Sequence, residues 1–130
     1  MKRLWVYRDI DAPPEAVWEL LTDPECWPEW GPTVQRAQLD GDRLEAGSTG
    51  TVTTMMGISL PFEITDYDDG ARWAWKVAGV SATDHRLEHA GSDGCRVGSG
   101  VPWLAAPYLA VCRVALARLE TMATRDKAAA

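Results

Sequence analysis

Between residues 33 and 101 the chain alternates apolar and polar side chains in one short segment after another, each closed by a cluster of turn-forming residues. The clearest is "RWAWKV" (72–77). Trp73, Trp75 and Val77 share one face, and Arg72, Ala74 and Lys76 share the other. A period of two is that of a β-strand with one dry and one wet side. "TVQRAQL" leads to Asp40-Gly41, a hairpin signal. "GSTGTVTTM" and "ISLPFEITDY" follow as strands, and Asp68-Asp69-Gly70 turns the chain into "ARWAWKVA". "SATDHRLEH" alternates again, and "AGSDG" leads into "CRVGSGV". Strands joined by hairpin-length turns imply an antiparallel sheet.

The flanks read differently. "RLWVYRDI" (3–10) is a strand by its β-forming residues. "APPEAVWELL" opens a helix with Pro-Pro, with Asp11 or Ala12 near the cap, and puts Val17, Trp18 and Leu21 on one face. Pro24 and Pro28 leave room only for a short second helix or turn holding Trp27 and Trp30. From about Trp103 to Lys127, Leu104, Tyr108, Val111 or Cys112, Ala115, Leu119 and Met122 recur at helical spacing. The 130 residues therefore form one domain, with a few tail residues ending in "AAA". Its order is one strand, one or two short helices, about six strands and a long final helix.

A sheet covered on one face by a helix has a dry side. The alternation assigns to it Phe62 and Ile64, then Trp73, Trp75 and Val77, then Thr83, His85 and Leu87, and finally Val97, Ser99 and Val101. Asp66 would follow Ile64 inward if its strand stayed regular, but a strand end at "DYDDG" favours exposure. Thr83, His85 and Ser99 are polar groups that must either be paired in a solid core or line a partly wet cavity, since an unpaired buried group costs about 1–3 kcal/mol. Seven tryptophans against one phenylalanine need a reason in so small a domain, and an aromatic-lined cavity would supply one.

A net charge of −6 makes nucleic acid and anionic membranes poor partners. Seven acids and no Lys or Arg lie between Asp9 and Glu29, a solvated acidic face or a docking face for a basic partner. Three cysteines, an odd number without CxxC spacing, argue against a disulfide framework and fit a reducing cytoplasm. No signal-like segment opens the chain. The most apolar run, "VPWLAAPYLAVC", stops at Arg113 after twelve residues, too short to span a bilayer.

"IDAPPEAVWELLTDPECWPEWGP", "GSTGTV", "LPFEITDYDDGARWAWKVAG" and "ATDHRLE", ahead of a long final helix, together resemble the polyketide cyclase/dehydrase family of the START-like, helix-grip superfamily. The resemblance covers nearly the whole chain. It implies an α+β helix-grip fold: a seven-stranded antiparallel sheet wrapped around a long C-terminal helix, two short helices after the first strand, and an internal hydrophobic cavity. It also implies a bulky hydrophobic ligand held there without a cofactor. Members of the superfamily include cyclases, ligand carriers, receptors and co-chaperone-like proteins, so activity does not follow from membership.

Phosphate-loop, HExxH, GxSxG and metal-type Cys/His patterns are absent from the sequence. His85 and His89, four apart on a strand, are separated by about 13 Å and cannot share a metal. His85 is the candidate acid/base, because imidazole can accept and donate a proton near neutral pH. Arg8 lies on the side of Val6 and Ile10 and is a surface arginine unless it reaches the cavity. The candidate cavity lining is Trp30, Met56, Phe62, Ile64, Trp73, Trp75, Thr83, His85, Trp103, Leu104, Tyr108 and Cys112. Trp103, Leu104 and Tyr108 are gate candidates at the mouth, and Trp27 is packed under its turn as structure. Three functions follow as expectations: binding of a hydrophobic, aromatic or polyketide-like molecule; cyclisation or dehydration through His85; or protein interaction through the acidic stretch with a filled cavity. Oligomeric state is not readable.

Overall fold

The computed structural model describes residues 2–91 and 93–129, with side chains up to residue 125. Seven strands form one antiparallel sheet: β1 (Arg3–Ile10), β2 (Val34–Asp40), β3 (Thr49–Thr54), β4 (Ser59–Asp68), β5 (Arg72–Val77), β6 (Val80–Ala90) and β7 (Gly94–Pro102), in the order β1-β7-β6-β5-β4-β3-β2. The helices α1 (Pro14–Thr22) and α2 (Trp27–Trp30) carry the chain from edge strand β1 to the opposite edge strand β2. A 3₁₀ helix (Trp103–Tyr108) leads into the long α3 (Leu109–Ala129), which lies against β1, β7, α1 and α2. This is the helix-grip arrangement expected from the sequence. The "AAA" end expected as a tail continues α3 through Ala129, and Ala130 lies outside the described residues.

Two local expectations are corrected. The cap of α1 is Pro13 rather than Asp11 or Ala12. Its carbonyl accepts from the N–H groups of Ala16 and Val17, and its φ of −60° suits the helix entry. Asp40-Gly41 does not make a two-residue hairpin. Asp40 pairs with Thr49 across a longer loop, which dips to bury Leu44 in the core. A two-residue turn occurs instead at Ala78-Gly79, both at positive φ, with Val77 facing Val80.

Three interruptions of register bend the sheet, at Val34/Arg36, Ile64/Asp66 and Ala74/Lys76. The second decides the fate of Asp66. Thr65 is the extra residue, so Asp66 opposes Ala74 on the outer face and lies 3.7 Å from Arg72. That outer face holds a charged group the alternation left in solvent. Asp84 is 1 % exposed, bound bidentately by Arg72 (2.9–3.1 Å) and flanked by Arg3 and Arg86 at 3.9 and 4.0 Å. Arg86 lies over the Trp5 ring, and Trp5 and Tyr7 stack above Gly98 and Gly100, where any Cβ would meet the rings at 2.6–2.7 Å. Arg8 is on the helix-facing side but is bonded to Glu120 of α3 at 2.7 Å and stays outside the cavity.

Candidate functional site

Short α2 exists because Pro28 fits its first turn while Gly31 ends it, and it presses both its tryptophans onto the sheet. Trp27 and Trp30 donate their indole N–H groups to the carbonyls of Leu21 and Leu20, each at 2.9 Å. Trp27 then stacks on Trp73 (5.2 Å between centroids) and meets Trp75 and Phe62 edge-on or tilted at 5.3 and 5.6 Å. His85 stacks on Trp73 at 3.9 Å and receives Trp30 edge-on at 6.0 Å. Four of the seven tryptophans thus form one wall with His85.

Beside this wall lie two neighbouring spaces between the sheet and the helical side. The inner chamber, about 50 Å³, is bounded by Trp27, Trp30, Trp73, Trp75, Thr83, His85 and Ser99, and by Tyr108, Val111, Cys112 and Ala115 from the helical side. The outer cavity, about 360 Å³, is bounded by Val52, Leu60, Trp75, Val77, Val101, Pro102, Ala105 and Tyr108, with Thr54, Ser81 and Thr83 as polar members. Thr33, Val34, Trp75, Thr83 and Tyr108 border both. At this border the hydroxyls of Thr33 and Tyr108 are 2.8 Å apart and tie the α2–β2 loop to the 3₁₀ helix. A larger hollow beside α1, about 550 Å³, is lined by surface groups such as Glu19, Asp23 and Asp69 and contains none of the inward polar strand residues.

The polar groups inside form one chain with fixed directions. The carbonyl of Trp73 can only accept, so His85 carries its proton on Nδ1, 3.3 Å away. Nε2 then accepts from the Thr83 hydroxyl at 3.3 Å, and Thr83 accepts from Trp75 Nε1 at 2.8 Å. Burial drives the His85 pKa down to about 4, more than the Trp73 carbonyl and Asp84 behind the strand raise it, while Arg3 lowers it further. The ring is neutral at pH 7 with both nitrogens engaged. Burial also raises the Cys112 thiol above its ordinary value, opposed by a hydrogen bond with Ser99, and Cys26 and Cys95 are pushed up to about 11, chiefly by burial. None of the three is a ready thiolate. Among the described residues no group of three or more His, Cys, Asp or Glu could hold a metal ion.

The structure brings together Trp30, Trp73, Trp75, Thr83, His85, Tyr108 and Cys112 of the residues singled out from sequence. Phe62 and Ile64 are fully buried but line neither space; Phe62 supports the wall through Trp27 and Trp75. Met56, 86 % exposed at the β3–β4 turn, lies outside the site. Trp103 and Leu104, 55 % and 77 % exposed, also face away. The reason is a break in the helix: the 3₁₀ segment kinks at Ala105 (φ −102°, ψ 26°) and does not follow the α-helical spacing that selects Leu104, so Pro102, Ala105 and Tyr108 line the outer cavity. Sequence position alone assigns Trp27 a structural place only. It is 2 % exposed and structural, and it borders the inner chamber as well. Ala105 escapes the sequence signals, because a small side chain carries no signature of a cavity, whereas Ala115 lies on the helical face that the spacing selects.

The model of the family described as "Polyketide cyclase / dehydrase and lipid transport" matches residues 1–125. The chain belongs to this family. Among curated proteins none matches the sequence. Solved structures similar to it include a protein from Mesorhizobium loti (16 % identity, TM-score 0.74, covering 95 % of this chain and 98 % of that one) and one from Nitrosomonas europaea (18 %, 0.72, 97 % and 96 %). A norcoclaurine synthase point mutant from Thalictrum, in complex with a transition-state analogue, is similar at 11 % identity and TM-score 0.66, covering 97 % and 96 %. At such identities the likeness shows the fold alone. No helix of the described residues is long and apolar enough to cross a membrane.

Proposed function

We propose that this family member binds a hydrophobic, ring-bearing small molecule in the space between the tryptophan wall and the start of α3. The observation that carries the reading is the outer cavity of about 360 Å³, above the lower limit of roughly 300 Å³ for ligand sites, apolar and sharing part of its lining with an aromatic inner chamber. A family description that includes lipid transport and cyclase chemistry supports the same reading. The alternative as a protein-interaction domain requires a filled interior and is disfavoured by that volume. Calorimetry and thermal shift with a panel of aromatic and polyketide-like compounds test the proposal. Binding that disappears in Ala105→Phe, which fills the outer cavity, supports it. A panel without any binder or shift overturns it.

A second reading is catalytic: cyclisation or dehydration with His85 moving the proton. The fold likeness to a synthase favours it. The geometry gives His85 a weak base and no free nitrogen in this arrangement, so turnover would require a ligand to replace Thr83 at Nε2. A His85→Ala variant that binds and turns a substrate over at the parent rate removes this reading and leaves binding intact.

A further inference from the structure

Among the described residues nine large apolar side chains are exposed, and six of them gather at one end of the sheet. Met55, Met56 and Ile58 stand on the β3–β4 turn, Val80 on the β5–β6 turn, and Trp103 and Leu104 at the start of the 3₁₀ helix. Hydrogen bonds and register hold these segments side by side. The Met55 N–H donates to the Thr33 carbonyl, and the Ala78 N–H to that of Pro61 in β4. Arg3 donates to the Ala82 carbonyl of β6 and pairs with Pro102 across β1 and β7, and the Trp103 N–H donates to the Lys2 carbonyl. The outer cavity sits at this same end. Of its lining, only Val52, Trp75 and Thr83 lie outside residues 32–34, 53–60, 76–82 and 100–108.

Charge is distributed along the same axis. Those segments, with residues 2–3, contain Lys2, Arg3 and Lys76 and none of the chain's 19 acids. Glu63 faces Lys76, and Asp84 is shared by Arg3, Arg72 and Arg86, which leaves the end with a positive balance. Asp9, Asp40, Asp68 and Glu88 lie toward the opposite ends of β1, β2, β4 and β6. Strands of 8 and 11 residues, as in β1 and β6, set the two ends about 25–35 Å apart. That is at least three Debye lengths of about 8 Å at physiological salt. The net charge of −6 therefore does not describe what this end presents.

We propose that this end docks on the surface of an anionic phospholipid bilayer, with the two turns and the start of the 3₁₀ helix in the headgroup region and the outer cavity turned toward the lipid. The apolar side chains stand on separate turns. A protein partner would need a matching socket for each, whereas a lipid interface yields to each one. Trp103 is 55 % exposed and is of the amphipathic ring type favoured at such interfaces. The chain lies on the membrane by this contact and does not cross it. Docking stands on the surface features alone. Its use, passage of a hydrophobic ligand between membrane and cavity, rests on the binding function proposed above.

Flotation with vesicles of phosphatidylcholine, alone or mixed in equal parts with phosphatidylglycerol, tests the proposal. The protein should float with the mixed vesicles, several-fold less with phosphatidylcholine alone, and less as salt is raised. Leu104→Ser and Met56→Ser, at positions 77 % and 86 % exposed, should fold as the parent does and each lower partition by about threefold to tenfold. Lys2→Gln should lower it by about fivefold on mixed vesicles. Brominated lipid should quench tryptophan emission, and Trp103→Phe should remove most of that quenching. Val114→Ser, at an exposed apolar position of α3 away from this end, should leave partition unchanged. Absence of flotation overturns the proposal, as does equal loss in Val114→Ser and Leu104→Ser. Self-association by light scattering that Leu104→Ser and Met56→Ser abolish, without flotation, overturns it in favour of a second copy of the chain. Protein that floats but binds no compound in calorimetry keeps the docking and loses the ligand reading. Compound binding without flotation does the reverse.

Discussion

Consider acidification of the folded protein from neutral pH to about pH 4.5. His85 titrates at 6.5 in an unfolded chain and at about 4 in the fold, where burial is the dominant cause. Between those values the unfolded state binds the proton and the native state does not. Stability therefore falls as pH drops through 6.5 and levels off below about 4. At 1.36 kcal/mol per pH unit the full effect is about 3 kcal/mol, a large part of the 5–15 kcal/mol typical of a domain. Asp84 behind the strand and Arg3 beyond it modulate this value in opposite directions. Other acids also respond to pH, so the decisive quantity is a difference. Urea unfolding of the parent and of His85→Phe should be measured at both pH values. The variant keeps the ring stacked on Trp73 and strands the Thr83 hydroxyl and the Trp73 carbonyl, so it starts less stable. Its loss on acidification should be smaller than the parent's by about 2–3 kcal/mol. Parallel profiles, or a His85 ring signal titrating near 6.5, would refute the buried neutral imidazole.

Trp27→Ala should cost about 3–5 kcal/mol and abolish ligand binding together, read by urea unfolding and calorimetry, because one ring serves the core and the chamber. Tyr108→Phe removes the 2.8 Å contact with Thr33; a stability loss of about 0.5–1.5 kcal/mol with faster ligand association by stopped flow is expected. Leu104→Ser, at a position facing solvent, should leave affinity within about twofold, in line with a stability change under ~0.5 kcal/mol. Arg72→Met should destabilise by about 2 kcal/mol in urea unfolding, less than the 3–5 kcal/mol for breaking a buried pair, because Arg3 and Arg86 remain near Asp84.

Strand pattern and element order were readable because period two survives wherever one face is dry, as in Trp73, Trp75 and Val77. Reading failed where the backbone left its regular repeat. Asp66 is exposed as expected, but through the extra Thr65 rather than a strand end at "DYDDG", and nothing in "EITDYDD" marks that extra residue. The 3₁₀ turn after Pro102 exchanges Leu104 for Ala105 at the cavity wall. Asp84 alternates with the dry-side Thr83 and His85, so period two alone puts it on the wet face, where a carboxylate normally belongs. The arginines that cover it come from β1, β5 and β6, a juxtaposition only the fold creates. His85 was identified as interior, but its neutral state depends on depth and on Trp73 and Thr83, neither of which spacing can weigh.

The tryptophan wall also accounts for how a small domain tolerates an internal space. Each ring buries a large apolar area and packs on rigid neighbours, so the wall holds its shape when one side faces a void. Smaller aliphatic side chains would collapse into it, as cores do when they relax around cavities. The indole N–H groups add direction: Trp27 and Trp30 anchor α2 to α1, and Trp75 holds the Thr83 hydroxyl beside His85, whose tautomer the Trp73 carbonyl sets. Loss of a ring should therefore lower stability and ligand binding together. A ligand that fills the space stabilises the native state according to its saturation. Thermal shift is for this reason a direct readout of the site.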